Sequence, residues 1–336
     1  MPSWKEAKRQ QRIPGERENS PAENATYSIL LGEFRLMAFF IYVDLQIFII
    51  IIVFLFYLLC VLGNLLITTL VCAVSQLHTP MYFFLCNLAI QDIVYVSAFL
   101  PKLLVLTITG DSRISSIGCV TQMFLYGFCI DTEFFLLTSM AYDRFVAICI
   151  PLRYSIIMNQ RTCALLAFFS WLAGALNSLM FSLQMTKLSF CNVQEINHFF
   201  CDLPTMMKLS CSDTTSIRIF VTADGILLGW FPFIMILTSY IHIILTILKI
   251  RSTAGRMKTF SSCSSHLMVV IIFCGSVLCL NMKPESEKSQ ELDKLLSILY
   301  IGVVPMVNPL VYSLRNREVL EAIKIVFKRY LKCSML

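Results

Sequence analysis

LQIFIIIIVFLFYLLCVLGNLLITTLVCAV, residues 45–74, runs without one charged side chain. About 20 apolar residues in a helix cross the hydrocarbon core of a bilayer, so this stretch is long enough to span it. The rest of the chain shares the bias, being 57% hydrophobic and only 14% charged, whereas soluble proteins carry about 25% charged residues. The sequence is therefore that of a membrane protein. Working outward, further spans fall at 81–100, interrupted by Asp92; at 117–148, carrying Asp131 and Glu133; and at 162–186, without charge. Three more follow at 219–248, with Asp224, at 259–282 and at 295–314. The expected fold is an all-α seven-transmembrane helix bundle over residues 45–314, with an N-terminal tail, 1–44, and an inner segment, 315–336, on opposite sides.

Charge sets the orientation. The net +6 is concentrated after the third, fifth and seventh spans: Arg144, Arg153 and Arg161; Lys249, Arg251, Arg256 and Lys258; then Arg315, Arg317, Lys324, Lys328, Arg329 and Lys332. The opposite loops balance bases with acids, as in Lys283, Glu285, Glu287, Lys288, Glu291, Asp293 and Lys294. The positive-inside rule then puts the tail in the cytoplasm and the N-terminus outside. Lys5, Lys8, Arg9 and Arg12 argue the other way, but they precede the first span by more than 30 residues, beyond the reach of the rule. Bases placed in this way follow topology, so no nucleic-acid partner is expected. No cleavable signal peptide is expected either, because no apolar core lies near Met1. Asn24-Ala25-Thr26 is a glycosylation acceptor on the outer side. Val319, Leu320, Ile323, Val326, Phe327, Tyr330 and Leu331, interleaved with Lys324, Lys328 and Arg329, read as an amphipathic helix whose partner is inner-leaflet lipid. Cys333 is its candidate palmitoylation site.

Of 14 cysteines, Cys60, Cys72, Cys86, Cys129, Cys163, Cys274 and Cys279 lie inside apolar runs, where a thiol is a small hydrophobe. Cys119, Cys191, Cys201 and Cys211 lie outside the bilayer core, and an even set on one side reads as two disulfides, with three pairings open. Cys119 and Arg144 are 25 residues apart, which at 1.5 Å per residue is about 37 Å, enough to cross the core. Cys119 therefore falls on the outer, oxidising side. The absence of any CxxC pair argues against structural zinc.

Met140-Ala141-Tyr142-Asp143-Arg144-Phe145-Val146-Ala147-Ile148-Cys149 ends the third span. A charged pair is far cheaper at the boundary than at the bilayer centre, so Asp143 and Arg144 either orient the helix or form a switch. Other motifs join it in order. These are Gly63-Asn64; Pro80-Met81-Tyr82-Phe83-Phe84-Leu85 with Asp92; Ser239-Tyr240; Lys258-Thr259-Phe260-Ser261-Ser262-Cys263-Ser264-Ser265-His266-Leu267; and Pro305-Met306-Val307-Asn308-Pro309-Leu310-Val311-Tyr312. The set resembles the olfactory receptors of the rhodopsin-like G-protein-coupled family, over about residues 24–330.

The resemblance implies a receptor for small, mostly apolar volatile odorants that activates a stimulatory heterotrimeric G protein and raises cyclic AMP. Asp143 would hold Arg144 at rest. On activation Arg144, Tyr240 and Tyr312 would line a cavity for the G protein, with Asn308 and Pro309 in the same switch. Phe145 stands where the family has Tyr, which implies altered basal activity rather than lost coupling. Asp92, Glu133 and Asn308 resemble the family's polar cluster, which holds a resting-state sodium ion, shares protons, or is a plain hydrogen-bonded network; no other cofactor is implied. The ligand would be lined by Tyr126, Gly127, Ile130 and Asp131, by Leu228, and by Val277, Leu278 and Asn281, with Asp131 and Asp224 both facing it. Cys274 replaces a family Tyr near the pocket floor, losing bulk and a hydroxyl. The long outer loop matches the olfactory pattern, which favours Cys119 with Cys201 and Cys191 with Cys211. His198, Cys201 and Asp202 have been read in the family as a metal site, but a disulfide-bonded Cys201 offers no thiolate, and no metal site is assigned.

Two rivals remain in view. One is a chemoreceptor of the same fold acting outside the olfactory epithelium. The other is a transporter or channel using the buried carboxylates as an ion path, which calls for internal repeats or broken helices; neither is visible in the sequence. No nucleophile–base–orienter set points to an enzyme.

Overall fold

The computed structural model describes residues 33–37, 43–190, 195–281, 287–314 and 317–334, with side chains undescribed at 43–45, 258, 262, 278–281, 287–293, 313–314, 317 and 327–334. Asn24 and Cys191 lie outside the described residues, and the side chains of Leu278, Asn281 and Cys333 do as well. The spans are α1 (Val43–Ala73), α2 (Pro80–Thr109), α3 (Ser116–Cys149), α4 (Gln160–Met185), α5 (Thr215–Leu248), α6 (Thr253–Asn281) and α7 (Glu287–Leu314), followed by α8 (Arg317–Ser334). Six are long and apolar enough to cross a membrane without interruption. The seventh, α6, qualifies as one span made of two arms, Thr253–Ser261 and Cys263–Val277, with 44° between them. The molecule is a seven-helix transmembrane bundle.

Helix starts follow local chemistry. Ser115 accepts from Gly118 N at 3.1 Å to cap α3, and Asn159 accepts from Thr162 N at 3.0 Å to cap α4. Pro80 opens α2, where its missing N–H costs nothing. Gly110 closes it with φ of 72°, a left-handed turn that a side chain would strain. Hydropathy marked the part of each helix in hydrocarbon, whereas backbone pairing carries the helix into water. Accordingly α2 passes Pro101 to end at Thr109, α6 begins at Thr253 and α7 begins at Glu287. A wider π-helical turn, Gly225–Trp230, interrupts α5.

The core is organised on α3, which packs against α2, α4, α5 and α6. Its approach to α4 is set by Gly174, where an added Cβ would lie 2.4 Å from Thr132 Oγ1. The same logic holds α7 to α1, because a Cβ at Gly302 would lie 2.5 Å from the Phe56 ring. The outward faces carry exposed Ile47, Phe48, Phe54, Phe168, Phe169 and Leu183, as expected of helices solvated by lipid.

The N-terminal tail contributes an element that alternation over so short a run does not reveal. Glu33–Leu36 is a strand, β1, between β2 (Arg113–Ser115), antiparallel to it, and β3 (Glu195–Ile196), parallel to it. Phe34 and Leu36 are buried while Glu33 and Arg35 face out, the period of two that a half-buried strand requires. This sheet joins the tail, the α2–α3 connection and the long loop into a cap at one end of the bundle.

Candidate functional site

Near the C-terminal end of α3, Asp143 is fully buried. Arg144 Nε donates to Asp143 Oδ2 at 2.9 Å, and a second guanidinium nitrogen meets the same oxygen. The other carboxylate oxygen, Oδ1, accepts from Tyr154 at 2.7 Å. Tyr154 opens the short helix Tyr154–Ile157 in the loop after α3. Burial, and the Asp143 carboxylate beside it, push the Tyr154 phenol well above its ordinary range, so it remains a donor. Both oxygens of Asp143 are thus engaged, as a buried carboxylate requires.

Tyr240 of α5 and His266 of α6 stack with ring centroids 5.8 Å apart, the Tyr240 hydroxyl lying 2.6 Å from His266 Nδ1. Arg144 acts electrostatically on Tyr240, His266 and Tyr312. Tyr312 is buried, and its hydroxyl has no hydrogen-bond partner among the described residues. Phe145 sets its ring edge-on to His242 of α5 at 5.9 Å. The structure therefore gathers Asp143, Arg144, Tyr240 and Tyr312 at one end of the bundle, and adds Tyr154 and His266.

In mid-bundle, Asn308 Nδ2 donates to Asp92 Oδ2 at 2.9 Å, and Glu133 interacts with Asn308 and Gln91. Asp92 and Glu133 are both buried, and Asp92 Oδ1 and Glu133 Oε1 lack partners among the described residues. Pro309 closes on α1, with its ring 3.0 Å from where a Cβ at Gly63 would sit. Asn64 Nδ2 donates to Pro305 O at 3.2 Å, crossing the same junction.

In the outer half, Tyr126 stacks on Phe200 of the long loop with centroids 5.5 Å apart and meets Phe99 at 6.0 Å and Tyr95 at 6.2 Å. Ile130, Leu228 and Val277 are half-buried, Leu228 within the π-helical turn. Two residues of the implied lining face elsewhere. Gly127 turns its Cα to Ser178 of α4, whose Oγ would be 3.1 Å from an added Cβ, so it serves a helix contact. Asp131 Oδ2 accepts from Asn177 Nδ2 of α4 at 2.8 Å, so a neighbouring helix holds the carboxylate expected to face the ligand. Asp224 also interacts with Asn177 and with Asp131, which brings the two aspartates together at α4.

Cys119 and Cys201 form a disulfide, Cα atoms 5.4 Å apart, which fastens the loop to the N-terminal end of α3. Cys211 is also disulfide-bonded. Cys201 is thereby committed, and Asp202 caps the helix Leu203–Leu209 by accepting from Thr205 N at 3.2 Å. His198 Nε2 instead lies 3.5 Å from Ser297 Oγ of α7. The described residues contain no group of three His, Cys, Asp or Glu placed to hold a metal.

Tyr154, His266 as a partner of Tyr240, Asn177, Tyr95 and Tyr300 went unassigned in the sequence. The first three carried a usable signal: His266 and Asn177 are polar residues within spans, and Tyr154 follows α3 by one short turn.

A sequence model of the olfactory receptor family matches residues 53–330. Human olfactory receptor 13F1 is 43% identical over 291 residues, covering 87% of this chain and 91% of the relative. Human olfactory receptors 1F1 and 1J4 are each 46% identical over 273 residues, which is 81% of this chain and 88% and 87% of those relatives. The chain belongs to the olfactory receptor family of multi-pass membrane receptors, which are not enzymes.

Proposed function

We propose that the protein is an odorant receptor of the plasma membrane. It binds small, mostly apolar volatile ligands between its helices and activates a stimulatory heterotrimeric G protein, raising cyclic AMP. The observation that carries this is the Asp143–Arg144 pair, buried at the end of α3 and closed by Tyr154, with Tyr240 pinned to His266 alongside. A charge held this way is a two-state element, since an outward movement of α6 would take His266 from Tyr240 and open a path to Arg144. The basic loops and the Cys119–Cys201 disulfide support an outer N-terminus, glycosylated at Asn24, and a cytoplasmic tail. Ligands would lie against Tyr126, Ile130, Leu228 and Val277, under Phe200. Asp92, Glu133 and Asn308 would hold a sodium ion at rest; if so, Asp92→Asn abolishes the dependence of basal signalling on sodium.

Cyclic AMP measured over an odorant panel tests the reading, with surface expression verified by flow cytometry. An odorant response that disappears in Arg144→Ala is expected. Silence of the wild type across the panel, with basal signal unchanged in Arg144→Ala, would sink it.

A further inference from the structure

Five buried polar atoms on α2, α3 and α7 have no hydrogen-bond partner among the described residues: Gln91 Oε1, Asp92 Oδ1, Tyr95 Oη, Glu133 Oε1 and Tyr300 Oη. Their residues are no more than 3% exposed. Buried polar groups are nearly always satisfied, so a concentration of orphans marks a place where another group belongs. The five are neighbours. Tyr95 and Tyr300 meet edge to face with ring centroids 6.1 Å apart, and Glu133 acts electrostatically on both. Tyr300 also interacts with Asp92. Gln91 Nε2 donates to Cys129 O at 3.1 Å and the side chain also interacts with Glu133, while its carbonyl oxygen has no partner among the described residues. Glu133 also acts electrostatically on Cys274 of α6, a small buried side chain.

The chemistry of the missing group follows from this set. Tyr95 and Tyr300 are donors in search of an acceptor, whereas the Gln91 oxygen, and the Asp92 and Glu133 oxygens when no sodium ion is bound, are acceptors in search of a donor. A ketone or ether could serve only the first kind, and an ammonium only the second. A hydroxyl serves both, and can also accept from a protonated carboxyl. Tyr95 also touches Tyr126, so the place adjoins the ligand region, with Phe99, Phe134 and Phe273 as apolar surroundings.

We propose that Tyr95, Tyr300, Gln91 and Glu133 form a hydroxyl subsite, which is filled either by ordered water or by the hydroxyl of an alcohol ligand. It deepens the odorant-receptor reading and rests on it for the alcohol. The cyclic AMP response to 1-octanol is compared with that to its isostere 1-chlorooctane in wild type, Tyr95→Phe, Tyr300→Phe and Cys274→Tyr, which places a ring and a hydroxyl beside Glu133. If the alcohol fills the subsite, 1-octanol loses about tenfold in potency in the variants, one hydrogen bond's worth, while 1-chlorooctane is unchanged. If water fills it, the wild type shows no preference for the alcohol, and a high-resolution map of the purified full chain has a water peak within hydrogen-bond distance of Tyr300 Oη and Glu133 Oε1. A map with no density between the phenols and the carboxyl, or with both phenols donating directly to protein acceptors, overturns the subsite. The map needs no signalling, so silence toward every odorant would count against the receptor reading alone.

Discussion

Two arginine–aspartate ion pairs occur among the described residues, chemically alike and differently buried. Arg113 Nε meets Asp111 Oδ1 at 3.1 Å in the outer loop, with side chains 64% and 46% exposed. Arg144 and Asp143 meet at the inner end of α3 with 14% and 0% exposed. Water can solvate Asp111 whether or not Arg113 is near, so that pair is optional. Asp143 has no water to fall back on, and its two oxygens depend on Arg144 and Tyr154. The same residue types are therefore independent of each other in one place and mutually dependent in the other; under the proposed function the second pair is a latch.

The largest effect that would break this contrast comes from Asp143→Asn, which keeps the shape and removes the charge. Removing one partner of a buried pair costs about 3–5 kcal/mol, and the boundary position relieves part of it by letting Arg144 swing toward water. Basal cyclic AMP, normalised to surface expression, is expected to rise about 5- to 10-fold, equivalent to roughly 1–1.4 kcal/mol of shifted equilibrium. An unchanged basal signal would mean that the pair holds nothing back.

Tyr154→Phe sharpens the contrast, because it removes one hydrogen bond to Asp143 and leaves the ion pair. A hydrogen bond to a charged group is worth about 1.5–3 kcal/mol when fully buried. Tyr154 is only half-buried, so a rise of about two- to fivefold is expected in the same assay. A double variant with Asp143→Asn should add little, since both changes act on one carboxylate. Additive effects would separate Tyr154 from the switch. Phe145→Tyr is expected to alter basal signal by less than about twofold, as Phe145 packs on His242 and touches neither oxygen of Asp143.

Position along the chain decided which of these features could be read beforehand. The spans, the basic inner loops and the Asp143–Arg144 pair are local patterns, legible from hydropathy and spacing. The Tyr240–His266 contact joins α5 to α6 and the Tyr95–Tyr300 contact joins α2 to α7; no periodicity encodes which helix faces turn toward each other. Gly127 and Asp131 show the same limit. Both lie on α3 near Tyr126, yet Ser178 and Asn177 claim them for α4. The strand Glu33–Leu36 is visible only through its partners, because four residues make too short a run to distinguish a strand from a tail.

The smallest expected effect belongs to Asp111→Asn. The Arg113 guanidinium, bonded to Asp111 and beside its charge, holds that carboxyl below the usual carboxylate range. A lowered folded-state value stabilises above the unfolded value, near pH 4, and the contribution fades as pH falls through the folded one. Both side chains are largely in water, however, and salt screens what attraction remains. Melting of the purified receptor should therefore be the same for Asp111→Asn and wild type at pH 7, at low and at high salt, and cyclic AMP should not change. A loss of melting temperature matching that of Asp143→Asn would show that burial is not what separates the two pairs, and the latch would then need a different cause.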